Sequence, residues 1–218
     1  VLLDDIPVAR LFDEFLKLFL AGHAAATLDL LRHHGLLKHL FPEPARLMDS
    51  DQLAAELVNR AMANTDRRIH DDKPVTPAFI LAALLWPAVA LRAEQLREHG
   101  DPPAPAMHSA GQQVVAEACQ HVAIPKRFSQ PMREIWEFQD RLQRPRGKKT
   151  AELVEHRRFR AAYDFLLLRE EAGEDCDGRG QWWTDFQELD MAARLKQLED
   201  EGALSQSRRD SGKKRASR

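Results

Sequence analysis

Between Ile124 and Arg160 the chain sets eleven basic side chains against five acidic ones, a local excess of +6 in a protein of formal net charge −2. Clustered guanidinium and ammonium groups do electrostatic work: they neutralise phosphates and release condensed counterions. Three blocks supply them. IPKR contributes Lys126 and Arg127, RPRGKK contributes Arg144, Arg146, Lys148 and Lys149, and HRRFR contributes Arg157, Arg158 and Arg160, with Arg133 and Arg141 between the first two blocks. Charge alone favours a solvated helical face over a ligand surface. Trp136 and Phe159 lie within this stretch and could stack on bases, but their helical spacing with Ile135 and Tyr163 assigns them to a core.

Other residue types that could carry chemistry are incomplete as constellations. His33, His34 and His39 cluster, and His70 precedes Asp71 and Asp72, yet a histidine-aspartate metal shell needs further ligands, so both groups read as structural. There is no Gly-rich phosphate loop, nucleophile elbow or paired-cysteine motif. Cys119 and Cys176 are far apart and suggest neither a disulfide framework nor zinc. The chain alone therefore presents no catalytic centre.

The elements that must position the cations read as helices throughout. Leu11, Phe12, Phe15, Leu16 and Phe19 recur at one-face spacing after Pro7, with Arg10 and Glu14 one turn apart and able to pair. A second helix covers 24–34 and stops at Gly35; GLLKHLFP reads as a short turn closed by Pro42; a third helix covers about 51–64. Thr76-Pro77 opens an almost wholly apolar helix that Pro87 ends or kinks, with amphipathic spacing resuming over 89–99. DPPAPA at 101–106 reads as a connector, 107–121 as the next helix, and Ser129 as the cap of a helix over 131–143. RPRGKK must turn, 157–169 is amphipathic, and WWTDFQEL is a short helix docked by Trp182, Trp183 and Phe186. The end, SRRDSGKKRASR, has six basic residues to one acid, and a disordered tail is expected.

These readings give an all-α fold: an irregular multi-helix body with no significant sheet. Its divisions are a first helix (1–22), a helical body (23–123), a basic helical region (124–189) and a mobile tail (190–218). With 44% hydrophobic residues the chain can bury a sizeable core. No apolar run approaches the roughly 20 residues of a membrane span. No membrane partner is expected, and a reducing cytoplasm fits the cysteine usage. The start, VLLDDIPVAR, lacks an initiator Met, a basic leader and a cleavage site, and reads as a fragment.

Six blocks carry a family resemblance: VARLFDEFLKLF (8–19), LLRHHGLLKHLFP (30–42), NTDRRI (64–69), KPVTPAFILAALLWP (73–87), IPKRFSQPMREIWEFQDRL (124–142) and HRRFRAAYDFLLLR (156–169). In these blocks and their order, the chain resembles the C-terminal half of a bacterial poly(A) polymerase, of the class that includes the CCA-adding tRNA nucleotidyltransferases. The resemblance implies a template-independent adenylyltransferase that adds AMP from ATP to RNA 3′ ends in mRNA polyadenylation and decay. It also implies a Mg2+-dependent α/β head whose Gly-Ser motif and paired aspartates nothing in this sequence matches. Mg2+ and ATP are thus implied for that head and no cofactor for this chain, which alone should be inactive.

The same resemblance implies a neck-body-tail arrangement, with a neck for 1–22, where Arg10 and Glu14 lie beneath the nucleotide site, and RNA binding for 124–189. The eleven cations named above become the surface that holds single-stranded RNA 3′ ends, with RNA-decay proteins as further partners. Two alternatives stay open: the body of a CCA-adding enzyme, or a non-enzymatic helical interaction module in which WWTDF is an exposed anchor.

Overall fold

A computed structural model describes residues 6–145 and 148–202, with Lys148 described in its backbone only. Arg146, the Lys148 side chain and the basic end SRRDSGKKRASR lie outside the described residues. Among those described, all regular structure is helical.

The chain opens with α1 (Val8–Phe19), α2 (Ala24–His33), α3 (Leu37–Leu40) and α4 (Pro42–Ser50). Phe12, Phe15 and Phe19 form the buried face of α1, and the Phe15 and Phe19 rings stack with centroids 4.5 Å apart. Pro42 does not close a turn; it opens α4, because a first-turn residue needs no N–H for the helix ladder. Arg10 and Glu14 are not paired either. Lys17 Nζ holds Glu14 at 2.9 Å, and Arg10 is exposed without an ion pair among the described residues.

Next comes α5 (Gln52–His70), capped by Asp51, whose carboxylate accepts from Leu53 N at 2.9 Å. It runs beyond the expected end at residue 64, so NTDRRI is helical. The extension has a purpose: Asp66 accepts from Ala24 N and Ala25 N at 2.5 and 3.0 Å, capping α2, whose own N-cap His23 supplies no bond.

The centre is α6 (Pro77–Glu98), continuous through Pro87. The proline removes the donor for Ala83 O, and in the same turn Ala82 O accepts the Trp136 indole N–H at 3.1 Å. By length and composition α6 would be able to cross a bilayer. Here its apolar surface is spent on α4, α5, α7 and α8 instead. Leu81 and Leu84 are fully buried. Leu81→Ala should cost about 2–5 kcal/mol by lost transfer energy plus a cavity; a urea midpoint close to that of the parent would show that the core lies elsewhere.

Proline again misleads in α7 (Pro103–Ala118), which starts inside DPPAPA and leaves only 101–102 as connector. Likewise α8 (Lys126–Gln143) follows Pro125 and contains Pro131, so Ser129 is a buried mid-helix residue and not a cap. Gly111 lets α7 approach α8: a Cβ there would meet Trp136 Cε3 at 3.2 Å. Three further helices follow, α9 (Lys148–Leu153), α10 (Phe159–Glu171) and α11 (Arg179–Gln187).

A last helix, α12, covers 191–202 and corrects the tail boundary placed at 190. Arg194 donates to the last carbonyls of α11, Gln187 O at 2.8 Å and Phe186 O at 3.3 Å, while Leu198 is buried and Trp182 donates to Glu201 at 2.7 Å. Two apolar clusters result. One surrounds α6; the other joins the C-terminal part of α8 to α9–α12, and both α8 and α10 contribute residues to each.

Candidate nucleic-acid interface

Helix α8 carries four of the candidate cations, with Arg144 at its C-cap, and its apolar residues fix which face is buried. Met132, Ile135, Trp136, Phe138 and Leu142 turn inward, leaving Lys126, Arg127, Arg141 and Arg144 exposed. Two of these lie over rings that anchor their stems: Arg127 over Phe128 at 5.0 Å and Arg141 over Phe138 at 4.9 Å. Lys149 on α9 is exposed as well. None of these five makes an ion pair among the described residues.

The other described candidates are committed to protein partners. Arg158 donates Nε to Glu134 Oε2, and Arg157 stands 3.6 Å from Glu134 Oε1. Burial works to raise the Glu134 pKa, but hydrogen bonds from Arg158 and Gln130 and the field of Arg157 leave it below the ordinary value. Arg160 pairs with Asp164 at 2.9 Å one turn along α10. Arg133 is half-buried with its Nε unpartnered among the described residues, its stem lying against the α7 surface at Gly111. The eleven cations therefore divide: five accessible and unpaired, four engaged or partly buried, and Arg146 and Lys148 outside what can be described.

They also do not gather at one point. At 1.5 Å per residue the two ends of α8 put Lys126 and Arg144 about 27 Å apart. Between them lies a groove of about 410 Å³ lined by His108, Glu137, Asp140, Arg141, His156 and Arg157, among others. Its floor carries both signs. Burial raises the Asp140 pKa despite Arg97 at 2.9 Å and the more distant Arg144 and Arg169; His108 Nδ1 is 2.7 Å from Glu137.

Trp136 and Phe159 are buried and unavailable for stacking on a base. The interaction-module reading loses its anchor too, since Trp183 and Phe186 are fully buried and the Trp183 indole donates to Leu142 O at 2.8 Å. One cation escaped the sequence reading: Arg68, whose guanidinium donates to Pro74 O at 3.0 and 3.2 Å and which lines a cavity together with Arg158. Arg67 and Arg68 sit close to Asp66, Asp71 and Asp72, so no local charge excess marks them. Among the described residues no group of three or more His, Cys, Asp or Glu side chains is placed to hold a metal ion.

A helical chain of this arrangement, with an arginine-rich second half, matches the family model described as "Polymerase A arginine-rich C-terminus" over residues 99–218. The chain belongs to that polymerase A family. Residues 2–48 match a second model, described as "Probable RNA and SrmB- binding site of polymerase A". Among individual relatives, the chain is 39% identical over 208 residues to Poly(A) polymerase I of Escherichia coli O6:H1, covering 92% of this chain and 45% of that protein. It is 37% identical over 225 residues to Poly(A) polymerase I of Salmonella typhi, covering 100% and 48%. With Poly(A) polymerase I of Haemophilus influenzae it shares 35% identity over 190 residues, covering 85% and 42%. The chain thus spans about half the length of the curated relatives it matches.

Proposed function

We propose that this chain is the RNA-holding helical portion of a template-independent poly(A) polymerase, which adds AMP from ATP to RNA 3′ ends. The observation that carries the reading is the set of five exposed cations on α8, its C-cap and α9 that make no ion pair among the described residues, in a chain of the polymerase A family. Such groups grip phosphates without reading bases, which is what an enzyme extending any 3′ end requires. A single strand laid along α8 would meet Lys126 and Arg127 at one end and Arg141, Arg144 and Lys149 at the other. The description of the second family model attaches RNA binding to residues 2–48, so α1–α4 form a second candidate contact region in this reading. The adenylyl transfer itself, with its ATP and Mg2+, falls to a catalytic head outside the described residues. RNA-decay proteins as partners and a cytoplasmic setting belong to the same reading. The relatives' names favour poly(A) synthesis over CCA addition.

The test is direct. Purified chain should bind single-stranded RNA with affinity that rises with oligonucleotide length, and should not extend an RNA primer supplied with ATP and Mg2+. Chelator-sensitive primer extension by the pure chain would overturn the division of labour, and failure to bind RNA at low salt would remove the holding role.

A further inference from the structure

The cavity that Arg68 and Arg158 share is walled by α5, the segment leading into α6, the start of α6, α8 and α10. Its volume is about 140 Å³. Cavities of roughly 150 Å³ lined by apolar side chains accept a single aromatic ring. The walls here are Val75, Phe79, Ile135 and Ala161, and no Asp or Glu lines it. Polar groups stand at defined places: Asn64, Thr65, Thr76 and the two arginines.

Their hydrogen-bonding capacity is partly unspent. Asn64 Oδ1 accepts from Arg67, which leaves the Asn64 amide N–H2 to donate. The Thr76 hydroxyl makes no capping bond to α6. Thr65 donates to Ala61 O at 2.9 Å and keeps acceptor capacity. The Arg68 Nη1 and Arg158 Nη groups are not used in the bonds to Pro74 O and Glu134. An apolar cavity of this volume with one amide donor, hydroxyl acceptors and two cations matches a planar heteroaromatic ring attached to an anionic backbone.

The cavity also lies beside the groove along α8. Glu134 is the partition, held by Arg158 on the cavity side and by Arg157 on the groove side. A second cavity among the described residues is chemically unlike it: about 220 Å³, bordered by Glu43 and Glu117, whose charge repels phosphate.

We propose that the α5–α6–α8–α10 cavity takes one unstacked nucleobase of the single-stranded RNA, with Arg68 and Arg158 on the flanking phosphates. This rests on the RNA-holding reading and adds to it a contact that senses a base, not only charge. The slot accepts a ring without a full set of edge contacts, so it prefers RNA with bases over an abasic backbone and tolerates base identity.

The experiment compares an oligo(A) strand with an abasic ribose-phosphate strand of equal length, on the parent chain and on two variants. Ala161→Leu fills the slot, and Asn64→Ala removes the amide donor from a partly exposed position, so one variant survives as a test if the other disturbs folding. The parent should bind oligo(A) about tenfold more tightly than the abasic strand, within the range for a single stacked base. Each folded variant should lose most of that difference while keeping its salt slope. Equal binding of the two strands by the parent, or an unchanged difference in both folded variants, overturns the base pocket and leaves charge-based holding intact. Absence of binding to either strand overturns both.

Discussion

Arg169→Ala should destabilise the protein by about 3–5 kcal/mol, the usual cost of removing one partner from a buried charged network. Arg169 is 3% exposed and emerges from the last turn of α10. Its fork donates Nε to Glu174 at 2.8 Å and Nη2 to the other oxygen of the same carboxylate, Nη1 donates to Gln139 Oε1 at 3.0 Å, and the guanidinium lies 4.8 Å over the Trp86 ring. Gln139 in turn donates to Ile135 O and Ala162 O. One side chain therefore ties α6, α8, α10 and the segment after α10, and its loss leaves Gln139 Oε1 buried without its partner. Arg169→Met should recover the packing over Trp86 and only part of the stability. Arg169→Lys should not rescue it, because a point charge cannot replace the planar fork. Urea denaturation followed by circular dichroism measures this, and a loss below about 1 kcal/mol in the alanine variant would show the network to be dispensable.

That pin bears on function because α8 and α10 carry the cations. Their spacing from α6 is set by side chains whose partners are remote in sequence, and here the sequence ceases to be readable. The apolar stripes of α1, α6, α8 and α10 were legible, since periodicity depends only on neighbours three and four residues away. Prolines were not. Pro42 and Pro103 stand in first turns, where their missing N–H costs nothing, and Pro87 and Pro131 are tolerated inside helices held by tertiary packing. A proline's meaning depends on where its helix begins, and the sequence marks that poorly.

The same distinction governs the interface. Residue type showed which side chains are cationic, but not that Glu134 would engage Arg157 and Arg158 from 23 and 24 residues away, nor that Arg133 would lie against α7. Met191, Leu195 and Leu198 recur at helical spacing, but the charged residues around them drew the tail boundary ahead of the helix over 191–202, whose docking also rests on Arg194 and Glu201, polar residues that carry no periodic signal.

The largest functional effect should come from removing the unpaired cations together. Lys126, Arg127, Arg141, Arg144 and Lys149 are exposed, and none anchors a described carboxylate, so changing all five to alanine should spare the fold. Each single-strand phosphate contact contributes about 0.7 to the slope of log affinity against log salt. If all five engage RNA, the slope should flatten by about 3.5, and affinity near 0.1 M salt should fall by up to about three orders of magnitude. Because phosphates carry no sequence information, oligo(A) and mixed-sequence RNA should lose affinity alike.

The decisive measurement is accordingly a salt titration of single-stranded RNA binding by the parent chain and by this quintuple variant, with circular dichroism confirming that both are folded. The proposed role predicts a steep parent slope and a much flatter one for the variant. A folded variant that binds RNA with the parent's affinity and slope would contradict it, and would place the contact surface away from α8 and α9.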